Sequence, residues 1–181
     1  TIFKEEQTFY ERLGFPSTYV GHPAPDLTEP TQSKKEFYDG LNLNPKDNIL
    51  AVFPGSRAQE IKRVAPILLK AASTCLKENK TLKLIVSLSS KGYQRELEDI
   101  LQSLNLNQAI CYDGNSHNLI AHANFSIVTS GTITLEHALL GTPCVVAYKF
   151  HPITYFLGLL LFPKLRNQYM SLPNIFLKEK V

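Results

Sequence analysis

Two short stretches of this 181-residue chain bring together residue types that can hold an anion. In the first, Pro54-Gly55-Ser56-Arg57 is followed by Glu60. Glycine lets backbone approach a ligand closely, Ser56 can cap a following helix, and free N–H groups at a helix start attract anions. Arg57 adds a forked cation matched to phosphate. The bland alternative is a capped turn with a solvent-facing arginine. In the second stretch, Thr129-Ser130-Gly131-Thr132 leads into Thr134 and Glu136. Ser130 or Thr132 is expected to cap here, and Gly131 again permits close approach. Glu136 lies past the first turn, where the helix dipole rewards an anion less. Beside an apolar face of Leu135, Ala138 and Leu139, it is placed to accept from sugar hydroxyls. A solvated glutamate or a cap partner is the alternative. Two such junctions argue for a polyphosphate or nucleotide ligand more strongly than either alone.

Competing signatures are missing. The chain has no G-x-x-x-x-G-K-[ST] phosphate loop and no G-x-G-x-x-G after a strand. Gly114-Asn115-Ser116-His117-Asn118 stops short of the G-x-S-x-G elbow of α/β-hydrolases. The five histidines, His22, His117, His122, His137 and His151, form no H-E-x-x-H pair and sit beside no cysteine at zinc spacing. Each is read as structural, with His151 in a candidate ligand loop and His137 pointing away from Glu136. Cys75, Cys111 and Cys144 show no C-x-x-C spacing and read as buried free thiols of a reducing compartment. No metal site is expected. Asn124-Phe125-Ser126 matches a glycosylation sequon but falls at an expected buried strand.

The elements that must position these groups follow from periodicity. Short apolar runs at 49–53, 82–87, 109–112, 125–128 and 144–148 read as strands. Helical spacing occupies 58–76, 92–104, 118–122 and 132–140, with Pro66 kinking the first of these or starting its second half. Gly141 sits at the C′ position of the last, with Pro143 just beyond. The first 48 residues are weakly patterned, with a strand expected around Tyr19-Val20, a polar loop at 28–35 and a short helix at 36–41. Strand–helix alternation with continuously apolar strands predicts βαβ units. The fold class is therefore α/β, a doubly wound parallel sheet from about Asn48 onward. Ligands of such sheets bind at the carboxyl ends of the strands. That singles out the loops at 54–60, 87–92, 113–118, 129–134 and 149–154.

Composition bounds the rest. Hydrophobic residues make up 44% and charged residues 19%, as in folded globular proteins, and a net charge of +3 is far from that of a dedicated nucleic-acid binder. No signal peptide is visible at the start, and a chain opening at Thr1 reads as a piece of something longer. The longest apolar stretch, 153–162, is shorter than the roughly 20 residues needed to cross a bilayer. It contains Leu157, Leu160, Leu161 and Phe162 and is followed by Lys164 and Arg166. Its pattern fits a buried core helix first, with an interfacial lipid patch as the alternative.

The motifs taken in order resemble the lipid-A-disaccharide synthase family. The resemblance rests on Val20-Gly21-His22-Pro23 with Asp26, Pro54-Gly55-Ser56-Arg57 with Glu60-Ile61, and Ser130-Gly131-Thr132 with Thr134-Leu135-Glu136. Ala138-Leu139, Pro143, Val145-Val146 with Tyr148, and Ser171-Leu172-Pro173-Asn174 extend it across the chain. Phe53 and Ala24-Pro25 depart from the family pattern.

The resemblance implies the Rossmann-like, nucleotide-sugar-binding half of a GT-B glycosyltransferase. Residues 1–47 would end an amino-terminal domain and its linker; 48–181 would form the nucleotide-sugar domain, incomplete at its carboxyl end. The implied donor is UDP-2,3-diacylglucosamine and the acceptor 2,3-diacylglucosamine 1-phosphate. They would give a β-1,6 disaccharide and UDP at the cytoplasmic face of the inner membrane, without cofactor, metal or nucleic acid. Homodimerisation is left open. The general base would lie outside this sequence, so no catalytic residue is assigned. Gly55, Ser56, Arg57, Glu60, Ser130, Gly131, Thr132, Thr134 and Glu136 would bind the nucleotide. His22, Tyr148, His151 and Asn174 are cleft candidates. Acylated substrates also raise the standing of Leu157, Leu160, Leu161, Phe162, Lys164 and Arg166 as a membrane or acyl-chain contact. Another UDP-sugar enzyme of the same fold, or a nucleotide-binding module without chemistry, are the alternatives.

Overall fold

A computed structural model describes residues 1–149, together with Leu161 and Asn174. Three helices open the chain, α1 (Lys4–Arg12), α2 (Ala24–Leu27) and α3 (Lys34–Gly40). The regular part alternates β1 (Asn48–Phe53), α4 (Ala58–Arg63), α5 (Ala65–Glu78), β2 (Leu82–Ser87), α6 (Gln94–Ser103) and β3 (Ile110–Tyr112). It continues with α7 (Ser116–His122), β4 (Phe125–Val128), α8 (Ile133–Leu140) and β5 (Cys144–Val146). Pro66 sits in the first turn of α5, where its missing N–H costs nothing, so it starts a helix rather than kinking one.

The five strands form one parallel sheet in the order β3-β2-β1-β4-β5. The order reverses direction between β1 and β4, because the chain returns to the middle of the sheet to place β4. At that switch point the two following loops leave toward opposite faces and open a crevice between them. The sheet is covered on both sides. Leu50 and Val52 face a core shared with Ile61, Leu68 and Leu69, while Ile49, Ala51 and Phe53 face one shared with Phe37, Tyr38, Leu119 and Ile120. Alternation along β1 thus feeds two cores, which is why the strand reads as apolar throughout.

Four expectations change here. Tyr19-Val20 forms no strand, and both side chains are exposed, so nothing rewards pairing there. The last strand stops at Val146, two residues early. The apolar face expected on α8 is not its buried face: Ala138 and Leu139 are exposed, whereas Thr134 and His137 are buried. All three cysteines are unpaired but half-buried rather than buried. Among the described residues, no helix is long and apolar enough to cross a membrane.

Candidate functional site

A cleft of about 580 Å³ lies at the carboxyl ends of β1, β2, β3 and β4. Residues 53–57 and Glu60 form one wall, and Thr129, Ser130, Gly131, Thr132, Ile133 and Glu136 form the facing one. Ser87, Leu88 and Ser89 after β2, with Asp113, Gly114 and Ser116 after β3, complete the rim. Of the nine residues expected at the nucleotide, eight line this cleft. Thr134 does not: it is buried, and its hydroxyl donates to the Gly131 carbonyl at 2.9 Å, bracing the turn from behind.

The first junction differs from expectation. Ser56 is not the helix cap; Arg57 occupies that position and its side chain makes no cap bond. The cap is supplied from inside the helix. Glu60 Oε2 accepts from the Ser56 N–H at 2.9 Å and the Arg57 N–H at 3.3 Å, and Oε1 lies 3.6 Å from Arg57 Nη1. The amides expected to be free for an outside anion are therefore already satisfied by a carboxylate of the chain itself. Gly55 makes this possible. At φ +113° it adopts backbone that side chains rarely tolerate, and a Cβ there would run into the Glu60 side chain. What the junction still offers the cleft is the Arg57 guanidinium, 83% exposed as a side chain.

The second junction also lacks the expected cap. Thr132 occupies the cap position of α8 in helical conformation, with no side-chain cap bond. The N–H groups of Thr134, Leu135 and Glu136 turn back onto the Gly131 and Thr132 carbonyls. Those of Gly131, Thr132 and Ile133 have no partner among the described residues, and Gly131 and Thr132 are exposed. Three amides at a helix start thus face the cleft, with the positive end of the helix dipole behind them.

Glu136 Oε2 lies 3.4 Å from His117 Nε2, with both side chains about one-fifth exposed. His117, read as structural from sequence, is in fact the neighbour of the acidic group in the cleft. A strand-to-helix loop at 113–118 was legible; this pairing across two helices was not. His137 does point away, as expected. It is buried, its Nδ1 donates to the Ile133 carbonyl at 2.8 Å, and Nε2 has no partner. Its ring meets Phe53 edge-on with centroids 5.1 Å apart. Burial lowers its pKa below the ordinary value near 6.5.

The remaining candidates stand apart. His22 Nδ1 accepts the Ala24 N–H at 3.0 Å, and the ring packs against Phe3. Neither His22, exposed Tyr148 nor half-buried Asn174 lines the cleft. Leu161 is 66% exposed. His151, Leu157, Leu160, Phe162, Lys164 and Arg166 lie outside the described residues. No three His, Cys, Asp or Glu side chains gather as a metal site among the described residues.

Comparison with known proteins bears on the fold and the family. Among solved structures, the UDP-GlcNAc 2-epimerase of Neisseria meningitidis bound to UDP-GlcNAc aligns over 97% of this chain and 56% of its own, with TM-score 0.63 and 14% identity. The ADP-heptose heptosyltransferase II of E. coli aligns over 64% and 37%, with TM-score 0.52 and 17% identity. Likeness at that identity speaks to fold. Sequence comparison goes further. The lipid-A-disaccharide synthases of Geobacter sulfurreducens and Coxiella burnetii are 32% and 34% identical over 99% of this chain. The chain spans about half the length of these curated relatives, 46% in both. With the Lipid-A-disaccharide synthetase model matching residues 1–181 from end to end, the chain belongs to that family.

Proposed function

We propose that this chain supplies the nucleotide-sugar-binding half of a glycosyltransferase that builds the lipid A disaccharide. Its donor is UDP-2,3-diacylglucosamine and its acceptor 2,3-diacylglucosamine 1-phosphate; the products are a β-1,6-linked disaccharide and UDP. The observation that carries the reading is the open helix start at Gly131–Ile133 facing the exposed Arg57 guanidinium across one cleft. Attack on the anomeric carbon leaves charge on the departing diphosphate. Three fixed amides and a guanidinium meet that charge without reorganising, so they stabilise the transition state more than the ground state. Glu136, on the same wall, accepts from the ribose hydroxyls. The acceptor hydroxyl is deprotonated by a carboxylate of the amino-terminal domain, with inversion at the sugar. No cofactor or metal takes part in the transfer.

Residues 1–47 serve as the end of that domain and the linker, and the nucleotide domain begins at 48. Leu157, Leu160, Leu161 and Phe162, with Lys164 and Arg166, meet the inner membrane or the acyl chains on its cytoplasmic face. His22, Tyr148, His151 and Asn174 stand as candidates for contact with the substrates.

Donor selectivity tests the reading. The intact protein, this half joined to its amino-terminal domain, should transfer from the diacylated donor and fail to turn over UDP-N-acetylglucosamine under the same conditions. Equal use of the two donors would give the assignment to a different UDP-sugar enzyme of this fold.

A further inference from the structure

We infer that His117 is the positioning residue for Glu136, fixing the carboxylate before the nucleotide arrives. The inference rests on the reading of Glu136 as the ribose acceptor. A glutamate side chain has three rotatable bonds, and ordering it on binding costs affinity unless the free protein already holds it. Here His117 Nε2 stands 3.4 Å from one carboxylate oxygen, Oε2, which leaves Oε1 for a ribose hydroxyl. The two residues belong to different helices, α7 and α8, so the contact sets the side chain relative to the sheet rather than only to its own helix.

The platform under His117 is itself pinned. Asn115 caps α7, its side chain accepting the His117 N–H at 2.9 Å. On the other side, buried Asn118 accepts from the Thr31 and Gln32 N–H groups at 2.7 and 3.1 Å and donates to the Gln32 side chain at 2.9 Å. His117 therefore has its backbone held on both sides while its Nε2 stands beside the Glu136 carboxylate. A histidine kept only to fill space has no need of a carboxylate partner, and the carboxylate it meets, Glu136, lines the cleft while His117 does not.

The test compares UDP with its 2′,3′-dideoxyribose analogue by calorimetry on the wild-type protein and four variants: His117→Ala, His117→Gln, Glu136→Gln and the double variant His117→Ala/Glu136→Gln. His117→Ala should weaken UDP about tenfold, the scale of one lost polar contact, and leave the analogue within about twofold. His117→Gln, which keeps an N–H donor, should recover most of the loss. The double variant should bind UDP no worse than Glu136→Gln alone, because the two residues act as one unit. Equal losses for both ligands in His117→Ala, no rescue by His117→Gln, or multiplied losses in the double variant would overturn the proposal. If Glu136→Gln discriminates the two ligands and His117→Ala does not, only the role of His117 falls. If Glu136→Gln itself treats them alike, the ribose reading falls and this inference with it.

Discussion

The two junctions that flank the switch point use similar residues and end in opposite states. After β1, a small-residue turn runs into α4 with its amides consumed by Glu60. After β4, a small-residue turn runs into α8 with three amides open. The difference comes from one residue in the first helical turn. Glu60 stands three places past the cap position and reaches back; Glu136 stands four places past Thr132 and turns to His117 instead. A carboxylate at the third position satisfies its own helix start, and one a residue later leaves the start to a ligand. The first junction is therefore a rigid mount for an arginine, and the second is the one we propose receives the anion.

The largest expected effect separates the two glycines. Gly55→Ala should lower unfolding stability by roughly 2–4 kcal/mol, from backbone strain at φ +113° and loss of the Glu60 cap behind it. Gly131 has ordinary φ and open space where a Cβ would stand. Gly131→Ala should therefore stay within about 0.5 kcal/mol of wild type in urea unfolding. It should nonetheless weaken UDP roughly tenfold, by holding phosphate off the amides. A stability loss at Gly131 matching that at Gly55 would mean both turns are structural.

Next in size is Arg57→Ala. If the first junction contributes only its guanidinium, this variant should cost about 1.5–3 kcal/mol of UDP affinity, ten- to a hundredfold. Its melting temperature should change little, because the guanidinium is exposed and buried Glu60 keeps the Ser56 and Arg57 N–H groups. Wild-type UDP affinity in a folded Arg57→Ala protein would remove the arginine from the site and leave the amides alone to carry the diphosphate.

Much of this is legible in the sequence, and the differences share a cause. Apolar runs such as 49–53 marked strands because β1 is buried on both faces and must be apolar throughout. Gly141 marked the end of α8 because only a residue at ease at φ +72° closes that turn. The cleft followed from the rule that ligands sit at the strand ends. What sequence could not tell was which of several polar groups would satisfy which. Ser56 and Glu60 both had the chemistry to cap α4, but Ser56 lies one residue before the cap position and Glu60 reaches back from the third helical position. His117 and Glu136 are far apart in the chain, so no local pattern could join them. The exposed side of α8 differs from expectation for a related reason: its buried positions are held by Thr134 and His137, polar residues that each donate to a backbone carbonyl.

The smallest effect concerns the joint between the junctions. Phe53, the last residue of β1, packs edge-on against His137 of α8, so this ring contact ties the first junction to the second. The His137 Nδ1–H is committed to a carbonyl, and Nε2 lies buried without a partner. Adding a proton at Nε2 would bury a charge, which is why burial holds the pKa below 6.5 in the folded protein. The sign follows from linkage. The unfolded chain takes up the proton near its ordinary pKa while the folded one resists, so stability from this group is complete above about pH 6.5. It is lost as pH falls from there toward the lowered folded value. Urea midpoints measured between roughly pH 7.5 and 5 should therefore decline in the wild type. In His137→Gln, which keeps the size and a donor for the Ile133 carbonyl, the decline should be shallower. UDP affinity should follow the same pattern at low pH, since loosening this joint moves both walls of the cleft. Parallel pH slopes for wild type and variant would show that His137 holds the two junctions together by packing alone, with no part in their response to acid.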